Sequence, residues 1–137
     1  MLTLSIDRRH GVACLKFTGL LTHDELDMID PLLVGMAGGA HGAIGPNMRC
    51  LYDMTDVSAL MVPQKRFAER ASKPAIGNLM RVVVAPPWAG EDFGESYRSA
   101  RGLWSHDQPT IVESLDEAYA LLGVVLPHFE PLRASAP

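Results

Sequence analysis

Arg49-Cys-Leu-Tyr-Asp-Met-Thr-Asp56 decides how this chain folds. Leu51 and Tyr52 sit at the centre of a short run that stops at Asp53. Thr55 and Asp56 follow as turn formers, which predicts a central strand ending in a loop. In open α/β sheets ligands collect outside the carboxyl ends of the strands, where successive connections leave for opposite faces. A site is therefore expected just after Asp53.

Upstream, Leu2, Leu4 and Ile6 alternate with polar residues, and so do Ala13, Leu15 and Phe17. This period of two predicts two strands with one buried face each, joined as an antiparallel hairpin through Arg8-Arg9-His10-Gly11. Gly19 is expected to break the second strand. Thr22-His-Asp-Glu25 is a capping box, so a helix starts there with Leu26, Ile29, Leu32 and Leu33 on its apolar stripe. Pro31 lacks an amide hydrogen and predicts a kink between Met28 and Pro31. Gly38 to Pro46 lacks the GK[ST] ending and following helix of a phosphate cradle and reads as a flexible loop.

Downstream, Pro63 opens a helix carrying Phe67 and Ala71, and Arg81-Val-Val-Val-Ala85 is a strand covered on both faces. Phe93, Tyr97, Ala100 and Trp104 recur at helical spacing. Thr110-Ile-Val112 is a short strand, and Ser114-Leu-Asp-Glu117 caps a last helix that ends at Gly123. The order is β, β, α, β, α, β, α, β, α. This predicts a single α/β domain over residues 1–126, built on a five-stranded mixed sheet with about four helices. Residues 127–137 are expected to form a loosely ordered tail.

The 137 residues, 47% of them hydrophobic, suffice for one domain with a real core. A net charge of −4 gives no basic footprint, so nucleic acid is not an expected partner. Cys14 and Cys50 both fall in strands without CxxC spacing and read as buried free thiols of a cytoplasmic protein. The first residues lack the basic and apolar regions of a signal peptide, and no apolar run reaches membrane-spanning length.

Gly19-Leu-Leu-Thr22 leads into an acid-rich helix, and Leu51-Tyr52-Asp53 ends a strand. Arg81-Val-Val-Val-Ala85 precedes a glycine-bearing loop and helix, and Ile111-Val-Glu-Ser-Leu-Asp-Glu-Ala118 precedes Leu121-Leu-Gly123. In order and spacing, from about Ile6 to Gly123, these stretches resemble the STAS/SpoIIAA-like family. The resemblance implies a small α/β domain with a five-stranded mixed sheet and no catalysis. Its shape would be related to anti-sigma-factor antagonists and, more distantly, to CRAL-TRIO lipid-transfer domains. Antagonists of that kind carry a phosphorylatable serine in a D-S-[SG]-type turn at the start of the helix after the central strand. The corresponding stretch here, Asp53-Met-Thr-Asp-Val-Ser58-Ala-Leu, has the serine without the pattern.

Met54, Leu60, Met61 and Val62 after the central strand, with Phe67, Trp88, Phe93, Tyr97 and Trp104, suggest a pocket for a nonpolar small molecule or lipid, since methionine and aromatic side chains suit irregular apolar ligands. The competing reading makes Phe93, Tyr97 and Trp104 the buried stripe of their helix. Lys65, Arg66, Arg70, Lys73 and Arg81 beside Leu60-Met61-Val62 suggest peripheral contact with an anionic membrane, or simply a solvated helix face. Ser58 or Thr55 offers a phosphorylation site near a helix start, or an ordinary turn hydroxyl. The histidines are scattered, no nucleophile elbow or P-loop is present, and Asp53, Asp56, Glu91 and Asp92 would do acid–base work only if they shared a cleft. The expectation is a non-enzymatic binding module for a nonpolar ligand, without cofactor or metal. The alternative is a regulatory domain of the anti-sigma-factor-antagonist type, meeting a protein partner or a second copy of itself and switched at Ser58.

Overall fold

The opening hairpin seeds the sheet. In the computed structural model, which describes residues 1–29, 31–32, 49–61, 81–88 and 110–131, Leu2–Asp7 (β1) and Val12–Thr22 (β2) pair antiparallel. Leu2 lies opposite Phe17 and Asp7 opposite Val12, and the turn closes through Gly11 at φ 66°, which a residue with a side chain rarely adopts. Arg49–Met61 (β3) then joins β2 in parallel, followed in parallel by Arg81–Val84 (β4) and Thr110–Val112 (β5). A sixth strand, Glu130–Pro131 (β6), pairs antiparallel with the outer edge of β1, giving the order β5-β4-β3-β2-β1-β6. The sheet thus has six strands rather than five. The extra one comes from the expected tail, where a two-residue backbone pairing leaves no side-chain period to read; residues 132–137 lie outside the described residues.

Both faces of the sheet are covered. Ala13, Leu15, Phe17, Tyr52, Met54 and Val83 form one core with Leu26 and Ile29. Val12, Cys14, Leu51, Val82 and Val84 form the other with Ala118 and Leu122. The expectation of a single buried face for β2 is therefore corrected: as an interior strand it buries Val12 through Leu15 without interruption. Burial also pushes the free thiols up, Cys14 to about 12 and Cys50 to about 11, so both are inert core groups.

The caps act as their sequences predict. Thr22 accepts from the Glu25 amide to start His23–Asp27 (α1), and Ser114 accepts from the Glu117 amide at 3.2 Å to start Leu115–Leu122 (α2), which Gly123 ends at φ 68°. α1 breaks at Met28, and helical backbone resumes at Ile29. Pro31 has no amide hydrogen to offer the carbonyl of Asp27, which is where α1 stops. These two are the helices that lie wholly among the described residues, against about four expected. The stretches expected to hold the others, 62–80 and 89–109, lie outside them. Among the described residues no helix is long and apolar enough to cross a membrane.

Candidate functional site

The central strand does not end at Asp53. It runs to Met61, and β2 continues beside it past Gly19 to Thr22, so both expected breaks are corrected. What the turn-forming residues make instead is a pair of irregularities. Lys16 pairs with Asp53 and Thr18 with Asp56, so Phe17 faces both Met54 and Thr55; Gly19 pairs with Val57 and Leu20 with Ala59, so Ser58 is an inserted residue with no counterpart on β2. Such insertions re-aim a strand and concentrate near functional positions; in parallel pairs they are rare. Gly19, at φ 73°, supplies the backbone conformation that the second one requires on the β2 side.

Asp53 builds the first irregularity. Its Oδ1 accepts the Thr55 amide at 3.0 Å and the Thr55 hydroxyl at 2.6 Å, a local turn inside a strand, while its side chain is buried. Just beyond, Lys16 on β2 pairs with the exposed Asp56 at 3.0 Å. The hydrogen bond that Lys16 donates to Asp56 is the main reason the Lys16 ammonium titrates above its usual range. From the other side, Ala85-Pro86-Pro87 brings Trp88 across, and its indole Nε1–H donates to the carbonyl of Val57 at 2.6 Å. Trp88 is 54% exposed; on the strands it approaches, Met61 of β3 is 59% and Leu20 of β2 54% exposed. Exposed Trp and Met are residue types enriched at the centres of protein interfaces, whereas the Lys16–Asp56 pair is of the kind found at their rims.

The residues expected to line a pocket part company here. Met54 is sealed in the core with Tyr52 and Val57, whereas Met61, seven residues on and roughly 20 Å along the strand, faces outward. Leu60 belongs to β3, pairing with Leu21. Val62, Phe67, Phe93, Tyr97 and Trp104 lie outside the described residues. Ser58 and Thr55 are in a strand rather than at a helix start, with Ser58 exposed. Arg81, expected on a basic surface, is buried instead, because β4 is an interior strand. Lys65, Arg66, Arg70 and Lys73 fall outside the described residues. Asp53 and Asp56 do not act together: one is buried on Thr55 and the other paired with Lys16 in solvent. Sequence reasoning missed the roles of Lys16 and of the Trp88 indole. A lysine amid apolar alternation was a signal for the first; nothing local signals the second.

No protein-family model matches the sequence, and no curated protein matches it. Among solved structures, a protein of the DUF3478 family with a SpoIIAA-like fold, from Shewanella loihica PV-4, superposes with a TM-score of 0.54 at 17% identity, over 89% of this chain and 92% of that one. The anti-sigma factor antagonist SpoIIAA in its unphosphorylated form superposes with a TM-score of 0.52 at 12% identity, over 90% of this chain and all of the other. The likeness is one of fold, and it bears out the STAS/SpoIIAA-like α/β architecture expected from the sequence.

Proposed function

We propose, with the SpoIIAA-like fold as premise, that this chain is a non-enzymatic regulatory domain that binds a protein partner in the manner of an anti-sigma-factor antagonist. One observation carries the reading: the fold matches an anti-sigma factor antagonist along that protein's whole length. The far half of β3 is where contact would fall, since Ser58, Met61 and Trp88 all face outward there. The nonpolar-ligand reading has less behind it, because its first residue, Met54, is core and Met61 points into solvent.

Ser58 is the candidate switch within this reading. A phosphoryl group on it would add roughly two negative charges two residues from Asp56, in competition for Lys16. The cytoplasm, where kinase and partner reside, is the compartment this role requires. Calorimetry against purified anti-sigma factors tests the proposal: wild-type protein binds, and Ser58→Glu weakens binding at least about tenfold. Absence of binding to any of them, together with bound fatty acid in native mass spectrometry and a shifted tryptophan emission, would return the assignment to a lipid carrier.

A further inference from the structure

At the end of the sheet opposite Ser58, the two halves of the chain meet on one buried acid. Asp7 closes β1 and is 1% exposed. Its Oδ1 accepts the His10 amide at 3.0 Å; its Oδ2 lies 2.7 Å from His10 Nδ1 and accepts the His128 amide at 3.0 Å. Burial by itself raises the Asp7 carboxyl, but the hydrogen bonds from His128 and His10 outweigh it and hold the group below its ordinary value, so it stays ionised. A carboxylate only accepts, so in the neutral ring Nδ1 carries the proton and Nε2 is left as an acceptor. The Val125 amide donates to that nitrogen at 3.4 Å.

The strap from Val124 to Pro131, which ends in β6, is therefore tied twice to one imidazole–carboxylate unit. Between the ties Leu126 is held at φ 54°, a conformation costly for any residue with a branched side chain. Other contacts of the strap are indifferent to pH: the Val124 amide donates to the Tyr119 carbonyl at 2.9 Å, Val124 is buried in the core, and Phe129 stacks on Tyr119 of α2 with ring centres 6.4 Å apart.

We propose that His10 is a proton-sensitive clasp for this strap. Neutral, it accepts the Val125 amide. Protonated, Nε2 becomes a donor facing a donor, and the imidazolium draws Asp7 Oδ2 away from the His128 amide. Both ties loosen in the same direction, so that β6 detaches more readily from the edge of β1 and frees strand edge at Ser5 and Ile6, while Val124 and Phe129 keep the strap on α2. The charged groups in contact with His10 are Asp7 from β1 and Arg49 from β3; Arg8 and Arg9 of its own turn are exposed, and His128 and Glu130 of the strap pair with each other. The Arg49 guanidinium donates to the His10 carbonyl at 2.5 Å and to the Leu122 carbonyl. The His128 ring is 82% exposed and pairs with Glu130 at 3.6 Å; only its backbone takes part in the clasp.

Nuclear magnetic resonance on the full chain tests this. Histidine changes charge between about pH 5 and 8, which sets the range to scan. At about pH 8 the His10 ring nitrogens should report the Nδ1–H tautomer, and on lowering the pH to about 5.5 the exchange protection of the Val125 and His128 amides, corrected for intrinsic rates, should fall about tenfold in step with the His10 titration. His10→Gln should abolish that dependence and His128→Gln should keep it. An Nε2–H tautomer, protection that ignores the His10 titration, or a dependence that disappears with His128→Gln would overturn the proposal. Should His10→Gln fail to fold, the wild-type tautomer and exchange profile decide by themselves.

Discussion

Two aspartates among the described residues are buried in the sheet, Asp7 at the end of β1 and Asp53 within β3, and they do different work. Asp7 gathers donors from positions up to 121 residues away and fills both of its oxygens with them. Asp53 uses one oxygen on Thr55, two residues along, and so shapes the strand it belongs to. The first holds distant segments together; the second bends a strand outward at the proposed interface. Burial of an acid alone therefore does not distinguish a clamp from a site, whereas the sequence distance to its donors does.

The comparison breaks most readily at Asp7. Asp7→Ala leaves the part-buried amides of His10 and His128 and the His10 ring without their shared acceptor and should cost about 3 kcal/mol in denaturant unfolding; a loss below 1 kcal/mol would mean that water replaces the carboxylate and the clamp is not one.

Acid sharpens the same point. Because the folded value is depressed, the stability Asp7 contributes is fully present above the unfolded value near ~3.9 and is lost as pH falls through the folded one. The advantage of wild type over Asp7→Asn should therefore shrink steadily below about pH 4, read from unfolding midpoints across that range. Asp53→Ala should cost only about 1 kcal/mol, since it strands two donors of one neighbouring residue and unties no distant segment; a cost equal to that of Asp7→Ala in the same assay would erase the distinction. Smallest of all, Trp88→Phe removes one hydrogen bond from a half-exposed ring and should move the unfolding free energy by about 0.5 to 1 kcal/mol, while weakening any partner that rests on that ring.

The same contrast separates what could be read from the chain alone. Local rules were enough for the hairpin and its Gly11 turn, for both capping boxes, for the Gly123 stop and for the strand at Arg81. Each depends on residues within a few positions of one another, and their order led to the α/β architecture. Asp53-Met-Thr-Asp56 was legible as turn chemistry but misplaced in effect: its hydrogen bonds form, yet pairing with β2 outweighs them, so they bulge the strand rather than end it. Ser58 was visible as a candidate, but whether it opens a helix or sits as an inserted residue in β3 depends on how β2 aligns with β3. The Trp88 contact spans 31 positions and the Asp7 clamp joins the first strand to the last. Such contacts become favourable only after the sheet has brought their partners within hydrogen-bonding reach, so tertiary structure alone decided them.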